Sequence, residues 1–296
     1  MAGFEVSDNL IEEWLSHCQQ NFPGLLQERA LESHKGSFGT VGIVGGCQGM
    51  SGAIVLAGTA ALMSGCGKLW LGFCQERAPL PYIPERPELM LSSAEVLLQR
   101  HDISHWCVGC GMGQEEKEYE ILSALLQKAV DKPILLDADA LNMLSKHPEL
   151  ADYLSARLVP AVITPHPTEA ARLLDCSTKE VQANREEAAL ELSEKYFCRV
   201  VLKGHQSLIA APDEDLLVNQ SGNPGLATAG SGDVLSGMII SLLAQGLAPD
   251  EAVAGGVWLH GAAADLLVLN QVGPIGLCSG EIAEAARYLR NLLISV

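Results

Sequence analysis

The sequence predicts an α/β fold, a single domain on a mostly parallel central sheet, and three observations carry that expectation. From residue 40 onward, short apolar runs alternate with longer helical patterns, the signature of parallel βαβ units. Glycine is abundant at 29 of 296 residues while aromatics reach only 5%, which suits tight strand–helix turns better than a β-sandwich. Apolar residues make up 48% and charged residues 19%, enough to build a sizeable core and too apolar for a disordered chain.

Taken in order, residues 1–30 read as a polar lead-in, with Leu10, Ile11, Trp14 and Leu15 at helical spacing on a short amphipathic helix. Strands are expected at 41–44, 68–73, 106–108, 134–136, 162–163, 200–202 and 208–210, each an apolar run closed by Gly or polar residues. Helices are expected at 52–64, 115–130, 168–174, 184–196, 233–245 and 249–269. The helix from 233 shows the pattern well, with Val234, Leu235, Met238, Ile239 and Leu242 on one stripe. No internal repeat or linker interrupts the series, so residues 31–296 are read as one domain.

Charge narrows the partners. Nineteen Lys and Arg against 36 Asp and Glu give a net charge of −17, which repels polyanions, so neither nucleic acid nor an anionic membrane is expected as a partner. A small anion would need local N–H donors or a metal to overcome that field. The N-terminus carries acids where a leader needs bases, and the longest uncharged stretch, 40–67, is full of Gly, Ser and Thr. A soluble, cytoplasmic protein is expected. Nine cysteines are scattered through the chain. Cys107 and Cys110 form a lone C-x-x-C with no second pair, so reduced, half-buried thiols are the simpler reading than a zinc site or a disulfide.

In open parallel sheets, ligands bind beyond the carboxyl ends of the strands. The turns expected there are rich in Gly and polar residues: Gly45 to Gly49, Gly109 to Gly113, Asp137-Ala138-Asp139, Thr164-Pro165-His166-Pro167 and Lys203-Gly204-His205. The strongest pattern is Gly230-Ser231-Gly232-Asp233, where a loop of small residues opens into a helix. Converging N–H groups and the helix dipole would make an anion hole for a transferring phosphoryl group. Asp233 could cap the helix, but an acid beside an anion hole is better read as a proton acceptor. Lys203 to Ser207 could cradle phosphate or serve as a solvated turn. His166, rigidly presented between two prolines, is read as a ligand contact. Glu169 could hold Mg²⁺ through water or act as a first-turn acid. The Gly109 to Gly113 loop is not a dinucleotide fingerprint, and there is no P-loop.

Together these segments resemble the ADP/ATP-dependent NAD(P)H-hydrate dehydratase family of the ribokinase-like superfamily. The resemblance rests on Lys35-Gly36-Ser37-Phe38-Gly39, Val44-Gly45-Gly46, Gly52-Ala53, Asp137-Ala138-Asp139-Ala140-Leu141-Asn142 and Thr164-Pro165-His166-Pro167. It continues through Val201-Leu202-Lys203-Gly204, Gly222-Asn223-Pro224-Gly225, Gly230 to Asp233 and Leu259-His260-Gly261-Ala262-Ala263, and covers about residues 30–290. Five departures stand out. Cys110 replaces the proline of a Gly-Pro-Gly loop, Ser207 replaces a threonine, Thr168 replaces a glycine, and Ser279 and Glu281 replace an alanine and an aspartate.

The resemblance implies a three-layer α/β/α ribokinase-like fold. It implies repair of hydrated NADH or NADPH in its S form, by phosphorylation of the ring hydroxyl from ADP or ATP and loss of phosphate. Asp233, with Gly230, Ser231 and Gly232, would be catalytic. Ala53, Gly111, Gly113, His166 and Asp233 would face the hydrate, and Lys203, Gly204, His205, Gln206, Ser207, Asn223 and Gly232 the nucleotide. Mg²⁺ would accompany the nucleotide, with Glu169 as its water-mediated contact. A homo-oligomer, preferably a tetramer, and a separate NAD(P)H-hydrate epimerase in the same pathway are further implications, because about thirty leading residues cannot encode an epimerase domain. Two alternatives share the cradle: a vitamin or sugar kinase of the same fold, and a non-enzymatic adenine-nucleotide sensor.

Overall fold

The computed structural model describes residues 4–296. The strands are β1 (Thr40–Gly45), β2 (Lys68–Phe73), β3 (Met90–Ser93), β4 (His105–Val108), β5 (Ile134–Leu136), β6 (Val162–Ile163), β7 (Arg199–Leu202), β8 (Leu208–Ala210) and β9 (Leu217–Val218). The helices are α1 (Asp8–Asn21), α2 (Ser51–Ser64), α3 (Ala94–Leu97), α4 (Glu116–Lys128), α5 (Asp139–Lys146), α6 (Pro148–Ser155), α7 (Pro167–Leu173), α8 (Thr178–Ala183), α9 (Arg185–Tyr196), α10 (Ser231–Ala244), α11 (Pro249–Leu269) and α12 (Ser279–Ser295).

The sheet order is β3-β2-β1-β4-β5-β6-β7-β8-β9. Pairing is parallel from β3 through β7 and antiparallel at β7–β8 and β8–β9, so the sheet is mixed and mostly parallel, as expected. Chain order reverses at β1, which pairs with β2 on one side and β4 on the other, and that switch opens a crevice at the carboxyl edge.

Alternation of side chains splits the interior into two layers. Ile43, Cys107, Leu135, Val162, Val201 and Ile209 face α2, α10, α11 and α12. Val44, Val108, Leu136, Ile163, Leu202 and Leu208 face the layer that includes α4, α5, α7 and α9. Three layers result. The first layer is tight: a Cβ at Gly237 of α10 would lie 2.0 Å from the Ala57 carbonyl oxygen of α2, so only glycine allows this approach. That contact clamps together the two helices whose N-termini reach the crevice.

Of the expected elements, the seven strands and six helices are present within one or two residues of their bounds. The turn read at 137–139 runs directly into α5, a helix not expected from the sequence, whose N-cap Ala138 takes φ 48° without any capping side chain. The lead-in is not a separate appendage. Cys18 and Leu25 are buried in the same core as α11 and α12, so the expected boundary at residue 30 has no counterpart in packing. Cys107 and Cys110 are fully buried rather than half-buried. The helix α11 is long and apolar enough to cross a membrane, and its apolarity is accounted for by burial inside this fold.

Candidate active site

A cleft of about 910 Å³ opens at the carboxyl edge between the turns after β5, β6 and β7 and the N-terminus of α10. The turns after β5, β6, β7 and β9 and the start of α10 contribute the polar groups, because each of these strands ends there and releases its chain into a loop.

At the centre is the start of α10. Gly230 is its N-cap in a left-handed conformation, φ 85°, which a side chain would strain. The Ser231 N–H donates to the Thr228 carbonyl at 3.3 Å, while the Gly232 and Asp233 N–H groups open the 14-residue helix at the cleft without a capping side chain. Asp233 follows in the first turn. Burial raises its carboxyl to about 6, with the Asp137 charge adding to the shift and the nearby Cys110 thiol and Lys203 ammonium opposing it. A carboxylate poised there is ionised at neutral pH and still basic enough to take a proton.

Beneath Gly232 lies a buried network that the sequence reading did not anticipate. Lys203 Nζ donates to Asp137 Oδ1 at 2.7 Å, the Ala138 N–H donates to the same oxygen at 2.9 Å, and Ser236 Oγ donates to Asp137 Oδ2 at 2.7 Å. A Cβ on Gly232 would sit 3.2 Å from Lys203 Nζ, so the ammonium lies directly against the cradle. Burial alone would make Lys203 easier to deprotonate, but Asp137 and Glu169 outweigh it and hold its pKa above the ordinary value. Lys203, expected as a nucleotide contact, is thus first an ion-pair partner of Asp137. The remaining residues of its turn line the cleft: Gly204, His205, Gln206 and Ser207. Arg185, also unanticipated, braces them by donating to the carbonyls of Leu202, at 3.2 Å, and His205. Asn223 lines the opposite wall, held by Asp265 at 2.8 Å and capping its own turn through Gly225 N–H.

His166 is exposed at the cleft and caps α7. Its Nδ1 accepts from the Thr168 and Glu169 N–H groups at 3.1 and 3.4 Å, which leaves the proton on Nε2. Burial and the nearby Lys203 lower its pKa, so the ring is neutral near pH 7. Glu169 completes the capping box, its Oε2 accepting from His166 N–H at 2.8 Å. Its burial raises the carboxyl to about 7. The first-turn role of Glu169 is thus visible directly. Among the described residues, no group of three or more His, Cys, Asp or Glu forms a metal cage.

Ala53, Gly111 and Gly113 do not line this cleft but form a second cluster beside Asp233. A Cβ on Gly111 would lie 3.1 Å from Ala53 Cβ, and the buried Cys110 of the same loop lies within electrostatic reach of Asp233. Asp139 ties the loop down, accepting from Gly113 N–H at 3.0 Å and Gln114 Nε2 at 2.7 Å. Asp233 therefore stands where that cluster meets the cleft, and His166, expected beside Ala53, Gly111 and Gly113, instead lines the cleft with the residues expected to hold the nucleotide. The departures at the C-terminal segment are also explained locally. Ser279 Oγ donates to the Ala229 carbonyl at 2.6 Å and steadies the loop before Gly230, while Glu281 caps α12 through Cys278 N–H at 2.7 Å.

The family described as NAD(P)H-hydrate dehydratase matches residues 41–285. The chain is 51% identical over 270 residues to the ADP-dependent (S)-NAD(P)H-hydrate dehydratase of Neisseria meningitidis, covering 91% of both chains. It is 40% identical over 297 residues to the bifunctional NAD(P)H-hydrate repair enzyme of Escherichia coli, of which it spans 54%. In structure it resembles the ADP/ATP-dependent NAD(P)H-hydrate dehydratase of Bacillus subtilis co-crystallised with ATP and Mg²⁺, with a TM-score of 0.79, 31% identity, and 94% and 97% of the two chains covered.

Proposed function

The chain belongs to the NAD(P)H-hydrate dehydratase family, and on that premise we propose how its cleft performs an adenine-nucleotide-dependent dehydration of (S)-hydrated NADH and NADPH. The observation that carries the assignment of roles is the partly buried Asp233 beside the uncapped N-terminus of α10.

The hydrate bears a hydroxyl on the nicotinamide ring, and hydroxide is a poor leaving group. The ring oxygen attacks the terminal phosphoryl of the nucleotide as Asp233 takes the hydroxyl proton, and AMP leaves if the donor is ADP. The Gly232 N–H, at the Ser231–Gly232 peptide, meets the charge on the transferring oxygens. The ring nitrogen lone pair then expels phosphate, and loss of a proton from the neighbouring ring carbon restores reduced nicotinamide. Lys203, fixed by Asp137, keeps positive charge under the cradle, which an acidic protein needs locally.

His166 and the cluster of Ala53, Gly111 and Gly113 hold the hydrate, and Gly204 to Ser207 with Asn223 hold the nucleotide. The residues fit a Mg²⁺ carried mainly by nucleotide phosphates and water, since Glu169 is the one acid that this reading offers it and Mg²⁺ favours few protein ligands. When bound, Mg²⁺ would neutralise phosphate charge. A partner activity, an epimerase acting on the same damaged cofactor, is supported by the bifunctional repair enzyme of which the chain spans 54%.

The test is incubation of the purified protein with hydrated NADH and ADP or ATP. Absorbance returning at the reduced-nicotinamide band, with release of phosphate, is expected. A stable phosphorylated organic product would instead assign a kinase.

A further inference from the structure

His260 lies in α11, lines the cleft beside the α10 N-terminus, and is buried. Its Nε2 is 3.1 Å from the Ser231 carbonyl oxygen and 3.4 Å from Ser231 Oγ. Burial drives its pKa down to about 4, against the pull of that carbonyl, so the imidazole is neutral at working pH. A neutral ring has one N–H, and the nitrogen facing a carbonyl must carry it. Nε2 is therefore the donor.

The carbonyl it reaches belongs to the peptide unit whose N–H is that of Gly232. A hydrogen bond to a peptide oxygen draws electron density toward that oxygen and makes the N–H at the other end a stronger donor. The same bond fixes the plane of the peptide at a helix start flanked by glycines on both sides, Gly230 and Gly232. We propose that His260 is a positioning residue for phosphoryl transfer: its Nε2–H orients and polarises the Ser231–Gly232 peptide so that the Gly232 N–H meets the charge developing on the transferred group. This rests on the reading of Ser231 and Gly232 as the phosphoryl cradle.

Substitution by glutamine and by methionine separates the proposal from simple packing. The two side chains have the same length, and only Gln keeps a donor. In steady-state assays with hydrated NADH and ADP, His260→Met lowers kcat about tenfold, less than the loss of a whole oxyanion donor. Its KM for the hydrate stays within about twofold of the wild type, as expected for an interaction made in the transition state. His260→Gln recovers kcat to within about threefold of wild type. His260→Phe, which fills the space without a donor, behaves as His260→Met and serves if the methionine variant does not fold. Equal kcat in the Gln variant and a folded donor-free variant, or wild-type kcat without a donor, overturns the role of His260 alone. A wild-type protein that does not dehydrate the hydrate overturns the cradle reading beneath it.

Discussion

Lys203 Nζ sits 2.7 Å from Asp137 Oδ1, under Gly232 and within the electrostatic reach of Asp233. The pair joins the ends of β5 and β7, two strands separated in the sheet by β6, so it locks the floor of the cleft as well as its charge.

Removing only the lysine leaves Asp137 buried and uncompensated. Lys203→Ala should cost about 3–5 kcal/mol of stability, as for a broken buried pair. The unpaired charge should also push the Asp233 pKa higher and move the acid limb of the kcat profile upward. In chemical denaturation, Lys203→Met with Asp137→Asn should recover most of the lost stability. If Lys203→Ala unfolds like the wild type and only weakens ADP, the pair is not structural.

Asp233→Asn should lower kcat about 100-fold or more while both ligands still bind, as for a missing general base. The same variant should be more stable at pH 8. The folded protein holds the Asp233 proton to about pH 6 against an ordinary value of 3.8, so its favourable contribution is complete at low pH and is lost as pH rises through 6. Ionising it costs up to about 3 kcal/mol, and asparagine removes that cost. Thermal melts at pH 5 and pH 8 check this: the variant's gain over wild type should be about twice as large at the higher pH, since about half of the cost is already present at pH 5. Wild-type kcat should fall below about pH 6.

His166 combines a cap with a substrate contact, and two variants separate them. His166→Ala should lose about 1 kcal/mol from α7 and raise the KM for the hydrate. His166→Asn, a good capping residue, should restore the melting temperature but not the KM. A KM restored by asparagine would make His166 a cap only.

Asp139 should act on the hydrate side alone. Asp139→Ala releases Gly113 and Gln114, so the KM for the hydrate should rise several-fold while the KM for ADP stays unchanged. Titrating both ligands against the variant measures the split, and an equal rise in both would place Asp139 in general packing instead.

Much of the site was legible locally. Gly230 to Asp233 announced itself because a helix start, three small residues and an acid lie within four positions, and His166 because prolines flank it. Arg185, Asp139 and His260 gave no comparable signal. Each acts on backbone from a distant element: Arg185 on the turn after β7, Asp139 on the loop after β4, His260 on the first turn of α10. Such roles depend on which carbonyl or N–H ends up opposite the side chain. The same holds for the edge strand β9, whose exposed Leu217 and Val218 carry no burial pattern to read.

The sequence by itself determined seven of the nine strands, six of the helices, the mostly parallel sheet and the loop that opens α10, because these follow from periodicity and from local turn chemistry within a few residues. Only the tertiary structure decided that Lys203 meets Asp137, that Cys110 comes within electrostatic reach of Asp233, and that residues 8–26 join the core. Those pairings span tens to hundreds of positions. They arise when the right-handed crossovers bring the strand ends to one edge, where burial and charge, rather than sequence spacing, select the partners.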